Sequence, residues 1–297
     1  MQCRVFVFVA AVASVTIALS AAPAASQNLG RAGRSQATAV PDAWNDPGVG
    51  RDISFPQCGG PMPALQSAVL GVLGTNDGTS FTRNRCLVTE LAWAKRLMLA
   101  PAFYANTGNP GPLRTRHWPL GQAIPKVCAT SDPNSLACSY DYGWNSGWHS
   151  YNIATDAAQR LHHVDRANAR HRAANVDWWL DVETMNSWQS VEGSATLAAQ
   201  RRDAAALAGE IDALRISGVA RVGVYSTQYQ WDTITGGSKV TSRFADTPQW
   251  LAGYGSHAAA VAGCDDRGFT RGEVRMTQYL GADGFDADVV CSTPAGD

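Results

Sequence analysis

The stretch "VDWWLDVETMNSW" at 176–188 runs three acidic side chains, Asp177, Asp181 and Glu183, through an apolar, Trp-rich segment. Its aromatic and β-branched residues over 175–183 are typical of a β-strand. Because successive side chains of a strand point to opposite faces, the three acidic residues share one face. The segment therefore predicts a strand that is apolar on one face and acidic on the other.

The opposite face of this strand is purely apolar and suits a layer of packed helices. It carries Val176, Trp178, Leu180 and Val182. The acidic face, which also holds Trp179, is then expected to point into the interior of a barrel. Asp181 and Glu183 would lie at the carboxyl end of the strand, where catalytic residues of such barrels are found.

Eight short apolar runs with strand-like composition recur along the chain. They lie at 51–55, 68–74, 97–104, 175–183, 218–226, 248–254, 273–280 and 284–291. Helical patterns separate several of them, at 84–96 and 195–218. This alternation predicts an α/β fold with a largely parallel sheet, and eight candidate strands suggest that the sheet closes as a TIM-type barrel. An open doubly wound sheet is the alternative, but no dinucleotide-binding or P-loop glycine motif follows the first strand.

The start of the chain predicts export. Residues 1–26 combine Arg4, an apolar run and small residues, as signal peptides do, and an uncleaved membrane anchor is the alternative. Residues 27–46 resemble a disordered linker. No later segment is apolar for long enough to span a membrane, so we expect a secreted or cell-wall-associated protein without stable membrane insertion.

The remaining residues, 47–297, are expected to form one barrel domain with a long inserted loop at 105–150. The insertion is rich in Pro, Gly and aromatic residues, and it follows the third strand. A loop of this length in a compact domain is usually functional, stapled or both. It is therefore expected to lie near the site.

Six cysteines follow the leader: Cys58, Cys86, Cys128, Cys138, Cys264 and Cys291. In an exported chain an even number favours disulfides, and no C-x-x-C spacing supports zinc. Several pairings are possible. The sequential pairing, in which each bond joins one local loop region, is the one we expect.

The composition argues against nucleic acid as a partner, because only 16% of residues are charged and the formal net charge is −1. A histidine group, His162, His163 and His171, invites a metal hypothesis, but no H-E-x-x-H is present and a solvated helix face is the preferred interpretation. No metal and no cofactor are expected. The absence of a G-x-S-x-G motif disfavours an α/β-hydrolase. Nothing in the sequence specifies the oligomeric state.

Asp181 and Glu183 are the candidate catalytic pair. Two carboxyls two residues apart on a strand are close enough to raise each other's proton affinity, and burial among Trp rings adds to the effect. One protonated and one ionised carboxyl is the arrangement that glycosidic cleavage requires. Asp52 and Asp286 lie in the first and last strands, which a closed barrel makes neighbours. The alternative is that the pair is simply solvated at a strand end.

Other side chains are expected to line the cleft because they lie at or just beyond strand ends. They are Tyr104, Tyr225, Gln278, Tyr279 and Trp188. Two or three of the five tryptophans in loops or past strand ends are expected to contact a sugar face. These five are Trp118, Trp144, Trp148, Trp188 and Trp231.

Several motifs occur in an order that resembles one known family. They are "GRDISFPQCGG" (50–60), "WWLDVE" (178–183), "VGVYST" (222–227), "WLAGY" (250–254) and "MTQYLGADGFDADVV" (276–290). Over 49–291 the chain resembles the family-25 glycoside hydrolases, the lysozyme-like N-acetylmuramidases, and looks most similar to an exported actinobacterial branch. It departs from the family pattern at "GTNDGTSF" (74–81), in the long insertion and in its six cysteines.

The resemblance implies a modified barrel with few helices between its last strands, and a substrate with β-1,4-linked N-acetylmuramic acid and N-acetylglucosamine. It implies that Glu183 is the general acid and that Asp181 assists the substrate acetamido group. Asp52 and Asp286 would line the cleft. Two alternatives stay open: a non-catalytic cell-wall glycan-binding domain on the same barrel, and a hydrolase of another polysaccharide.

Overall fold

Eight strands close into a barrel in the computed structural model, which describes residues 49–193, 195–237 and 241–291. The predicted signal peptide (1–26) and linker (27–46) lie outside the described residues. All described residues belong to one compact unit, Trp44–Asp297. The strands are β1 (Val49–Ile53), β2 (Leu70–Gly74), β3 (Ala102–Asn106), β4 (Trp178–Asp181), β5 (Val222–Ser226), β6 (Gln249–Tyr254), β7 (Val274–Leu280) and β8 (Asp286–Val290).

Each of the eight predicted apolar runs contains or overlaps one of these strands, so the predicted α/β barrel is confirmed. Strands β1 to β7 pair in parallel, each with the next, whereas β8 is antiparallel to both β7 and β1. The reversal of β8 was not predicted. It places the first residue of β8, Asp286, at the end of the barrel where β1 to β7 terminate.

Seven helices accompany the strands in the described part of the chain. They are α1 (Leu87–Ala94), α2 (Leu136–His162), α3 (Arg166–Ala174), α4 (Gln189–Glu192), α5 (Leu197–Ile216), α6 (Gln228–Thr235) and α7 (His257–Gly263). Only the short α7 separates β6 from β7, and a tight turn joins β7 to β8, where Gly281 N donates to Phe285 O at 2.9 Å. The predicted scarcity of helices between the last strands is therefore confirmed.

Strand β4 has the two faces that its alternation predicts. Trp178 and Leu180 pack in the main core against the helices, whereas Trp179 lies inside the barrel. The interior cluster around Trp179 consists of Leu70, Val72, Ala102, Trp250 and Met276. Gly223 on the neighbouring strand makes room for this ring, because a Cβ at that position would overlap it.

The predicted 105–150 loop extends too far at its carboxyl end. Helix α2 begins at Leu136, and Ser135 caps it by accepting a hydrogen bond from Cys138 N. Its glycines resemble loop residues in the sequence but serve helix packing: a Cβ on Gly143 would overlap the carbonyl oxygen of Ala206 in α5. The true loop between β3 and α2 therefore covers 107–135.

Three disulfides join the cysteines in the predicted sequential order: Cys58–Cys86, Cys128–Cys138 and Cys264–Cys291. The second ties the 107–135 loop to the first turn of α2, and the third ties the end of α7 to the residue after β8. Among the described residues, no helix combines the length and apolar character needed to cross a membrane.

Candidate active site

A cleft of about 440 Å³ opens at the end of the barrel where β1 to β7 terminate. Of the nine predicted catalytic and cleft-lining residues, the structure brings seven around it: Asp52, Tyr104, Asp181, Glu183, Tyr225, Gln278 and Asp286. No Lys, Arg or His side chain belongs to its described lining. The cleft is therefore acidic, with no cation in that lining to keep its carboxyls ionised.

Asp181, the last residue of β4, is 6% exposed and is held by two side-chain amides. Asn106 Nδ2 donates to its Oδ2 at 2.5 Å, and Asn186 Nδ2 donates to the same atom at 3.4 Å. The neighbouring carboxyl, that of Glu183, acts on Asp181 through its charge. The buried Oδ1 of Asp181 has no hydrogen-bond partner among the described residues.

Both carboxyls of the pair have a raised affinity for protons. Burial, and then the charge of Glu183, raises the pKa of Asp181 to about 8, against the opposing effect of the two amide donors. Burial also raises the pKa of Glu183, against the opposing effect of the Gln230 and Asp181 side chains. The pair therefore retains one proton near neutral pH and titrates as a unit.

Asp52 is held by a chain of hydrogen bonds that crosses the barrel. Tyr225 Oη donates to Gln278 Oε1 at 2.7 Å, and Gln278 Nε2 donates to Asp52 Oδ2 at 2.8 Å. Burial, and then the charge of Asp286, raises the pKa of Asp52 to about 7. Burial likewise raises the pKa of Asp286. These two carboxyls form a second acidic group on the opposite wall.

Tyr104 lies between the two acidic groups, and its side chain and that of Ser54 both lie beside Gly74. Burial, and then the charge of Asp52, raises the pKa of Tyr104 well above its usual value, so its hydroxyl stays neutral. Gly74 is needed beside it, because a Cβ there would lie 2.7 Å from the Tyr104 hydroxyl. Tyr104 is thus a neutral donor fixed at the floor of the cleft.

Two predicted cleft residues lie elsewhere. Trp188 is fully buried, and its Nε1 donates to Glu183 O at 2.8 Å, so it supports the turn after β4 from the core side. Tyr279 packs against His257 of α7, with ring centroids 5.4 Å apart. Because Gln278 faces the cleft, the adjacent residue on the strand must face the helices.

None of the five tryptophans expected near a ligand lines the cleft. Trp231 is fully buried, like Trp188, and Trp144 and Trp148 on α2 pack against the core. Trp118 Nε1 donates to Pro133 O at 2.7 Å within the 107–135 loop. The expectation failed because loop position in the sequence does not reveal which side of the barrel wall a ring covers.

Several cleft residues were missed from the sequence: Phe55, Asn106, Met185, Asn186 and Trp250. Trp250 belongs to the quoted "WLAGY" motif, and its Nε1 donates to Oδ1 of the buried Asp288 at 2.9 Å. Asn106 is the last residue of β3 and stands beside Asp181 in the register of the sheet. The position of Asn106 at a strand end could have identified it as a cleft residue from the sequence.

The histidine group is not a metal centre in the structure. His162 ends α2, His163 has left-handed backbone geometry, and His171 lies in α3. No group of three or more His, Cys, Asp or Glu side chains is arranged to hold a metal ion in the described part of the chain. The cleft residues themselves offer carboxyl, amide, hydroxyl and aromatic groups, which can transfer protons, form hydrogen bonds and stack on rings.

No protein-family model and no curated protein matches the chain. Among solved structures, it is similar to the bacterial lysozyme from Streptomyces coelicolor, with 14% identity, a TM-score of 0.49, and coverage of 84% of this chain and 95% of that chain. It is also similar to a muramidase from Trichobolus zukalii, with 17% identity, a TM-score of 0.45, and coverage of 84% and 94%. A third similar structure is a glycosyl hydrolase 25 of Streptococcus pneumoniae, with 14% identity, a TM-score of 0.42, and coverage of 84% and 88%.

Proposed function

We propose that this protein is an exported glycoside hydrolase that cleaves β-1,4 linkages of peptidoglycan, in the manner of an N-acetylmuramidase. The observation that carries the proposal is the pair of neighbouring carboxyls, Asp181 and Glu183, that line the cleft and have raised pKa values. A raised carboxyl pKa at neutral pH supplies an acid for a glycosidic oxygen. The ordered motifs of the sequence point to the same reaction.

In the proposed reaction Glu183 transfers its proton to the glycosidic oxygen, and the bond between that oxygen and the anomeric carbon breaks. The carbonyl oxygen of the substrate's own 2-acetamido group forms the new bond to this carbon, as in substrate-assisted glycosidases. Asp181 accepts the acetamido N–H and stabilises the positive charge that develops. Water then attacks the anomeric carbon and gives its proton to the Glu183 carboxylate, while the bond from this carbon to the acetamido oxygen breaks, with net retention of configuration.

The substrate itself would place the proton on the correct carboxyl. In the free cleft the deeper burial of Asp181 favours the proton on that residue. An acetamido N–H donated to the Asp181 carboxylate favours the ionised form of Asp181, because a hydrogen bond to a carboxylate stabilises its charge. The shared proton then moves to Glu183, where the reaction needs it.

Asp52 and Asp286 would line the opposite wall and help to keep the pair protonated, since each adds negative charge to the cleft. The three disulfides support a location in an oxidising compartment, as expected for a secreted or wall-associated enzyme.

The test is to incubate purified peptidoglycan with the protein and with its Glu183→Gln variant, and to identify new reducing ends by mass spectrometry. Glu273→Gln is the matched control, because Glu273 is exposed and precedes β7 at the opposite end of the barrel. We expect fragments that end in reducing N-acetylmuramic acid, a loss of at least about a hundredfold in Glu183→Gln, and no change in the control.

Two results would replace the proposal. Binding to cell walls without release of fragments, unchanged in Glu183→Gln, would identify a non-catalytic glycan-binding domain. Release of reducing ends only from other glycans would identify a hydrolase of another polysaccharide.

A further inference from the structure

A second cavity, of about 420 Å³, lies at the opposite end of the barrel from the candidate active site. Pro101 and Val176, which line it, precede β3 and β4, whereas Asn106 and Asp181 end these strands. The two cavities share no lining residue. The proposed glycosidase reaction therefore gives this cavity no role.

The cavity has an apolar floor and a basic rim. Buried side chains of the core form the floor: Leu91, Phe103 and Ala158. The ends of three helices supply the rim: Lys95 after α1, His162 at the end of α2, and His171 and Arg172 in the last turn of α3. No carboxylate belongs to the described lining, so the side-chain charge at the rim is positive.

Two basic side chains of the rim contact each other directly. Lys95 Nζ donates a 3.2 Å hydrogen bond to His162 Nδ1. Burial, and then the charges of Lys95 and Arg172, lowers the pKa of His162. Asp165 caps α3 beside the cavity, where its carboxylate accepts hydrogen bonds from N and Nδ2 of the lining residue Asn168 at 2.8 and 2.9 Å.

The helix ends account for part of this charge, because their carbonyl groups attract cations. The helix ends do not explain why cations from three different helices surround one open cavity with an apolar floor. Across the described ranges, Lys95, His171 and Arg172 make no ion pair with an acidic side chain. An anion at the rim would pair with the cations Lys95 and Arg172, and an apolar group attached to it would cover the floor.

We propose that this cavity binds a small amphipathic anion, with a carboxylate or phosphate head at Lys95 and Arg172 and an apolar body against Leu91, Phe103 and Ala158. Its volume suits a small organic ligand. The head would be held by charge-assisted hydrogen bonds, which are about twice as strong as neutral ones. The site lies outside the cleft, so its occupation is independent of the proposed glycosidase activity.

The experiment titrates the full chain with four probes by calorimetry: hexanoate, hexyl phosphate, inorganic phosphate and the neutral 1-hexanol. The NMR signals of the His162 ring report whether binding occurs in this cavity. We expect one or both amphipathic anions to bind at least about tenfold more tightly than 1-hexanol and inorganic phosphate. The stronger of the two identifies the head group.

The test variant is Lys95→Gln with Arg172→Gln, and the charge-matched control is Arg85→Gln with Arg201→Gln, two exposed arginines outside the cavity. The test variant should weaken binding of the anion at least about tenfold, and the control should not. Equal binding by both variants would overturn the proposal, as would 1-hexanol binding as tightly as the anions. A lower melting temperature of the test variant with no anion binding to the parent protein would show that these cations serve only the helix ends.

Discussion

The side-chain amide of Asn106 donates a 2.5 Å hydrogen bond to Oδ2 of Asp181, and the two residues end adjacent strands in matching register. Asn106 is itself fixed by two bonds: its N–H donates to Asn76 Oδ1, and its carbonyl accepts from Ser80 Oγ, both at 3.0 Å. The loop after β2 thus holds the group that orients Asp181. This arrangement fixes Oδ2 of Asp181, whereas its buried Oδ1 has no hydrogen-bond partner among the described residues.

Replacement of Asn106 tests this role. Asn106→Ala removes a donor that lowers the pKa of Asp181, so that pKa should rise further. Because the proposed reaction needs Asp181 ionised, the acidic limb of the pH–activity profile should move to higher pH. The rate should fall about tenfold to a hundredfold, the usual cost of a lost hydrogen bond to a charged group. The measurement is kcat/KM on peptidoglycan against pH, with the exposed Asn168→Ala as control. An unchanged acidic limb would show that Asn106 has no effect on the charge of Asp181.

A buried carboxyl outside the cleft predicts how stability depends on pH. Glu90 is fully buried, accepts one hydrogen bond from Asn84 Nδ2 at 2.6 Å, and has its pKa raised by burial to about 7. An unfolded Glu titrates near pH 4.3. Between these values the folded state holds more protons than the unfolded state, so the free energy of unfolding decreases as pH rises.

Glu90→Gln imitates the protonated side chain and should remove this contribution. The variant should match the parent protein near pH 4.5 and exceed its unfolding free energy by about 1–3 kcal/mol at pH 8. Urea denaturation at the two pH values measures the difference, with the exposed Glu273→Gln as control. Equal gains at both pH values would contradict titration of Glu90 as the cause.

The disulfides should contribute strongly to stability. Replacing Cys128 and Cys138 together by serine should lower the unfolding free energy by about 2–5 kcal/mol, because the open chain gains conformational freedom when unfolded. Urea denaturation of the oxidised proteins measures the loss. A thiol titration of the unfolded, non-reduced parent protein without its leader should find no free thiol. Six reactive thiols would contradict the bonded state.

The contact between α2 and α5 should not tolerate a methyl group. Gly143→Ala places a Cβ against the backbone carbonyl of Ala206, and neither backbone can yield without separating the helices. We expect a loss of about 3 kcal/mol or more, at the upper end of the usual cost of overpacking. Gly255→Ala is the control, since a Cβ there meets no atom within 4 Å. Similar thermal stability of the two variants would mean that the helices do not approach this closely.

The strands and the acidic pair could be predicted from the sequence because both depend on the order of residues within a short segment. Apolar and acidic side chains alternate with a period of two over 175–183, which separates the face toward the core from the face toward the barrel interior. Asp181 and Glu183 were predicted as site residues because they lie at the end of this strand. The same rule should have excluded Tyr279, because it adjoins Gln278. The first part of α2, residues 136–150, was predicted as a loop because Gly143 and Gly147 are typical of loops. Only the close packing against α5 makes glycine favourable at these two positions.

The sequence by itself determined that the chain alternates strands and helices, that β4 is acidic toward the barrel interior, and that six cysteines are available for pairing. Only the tertiary structure decided that β8 runs in reverse and brings Asp286 to the mouth, that Asn106 and Asn186 hold Asp181, and that Lys95 and Arg172 meet at one cavity. The physical reason is the range of the interactions. Periodicity sets which face of a segment is buried, whereas strand register and helix packing set which distant groups come within a few ångströms of one another.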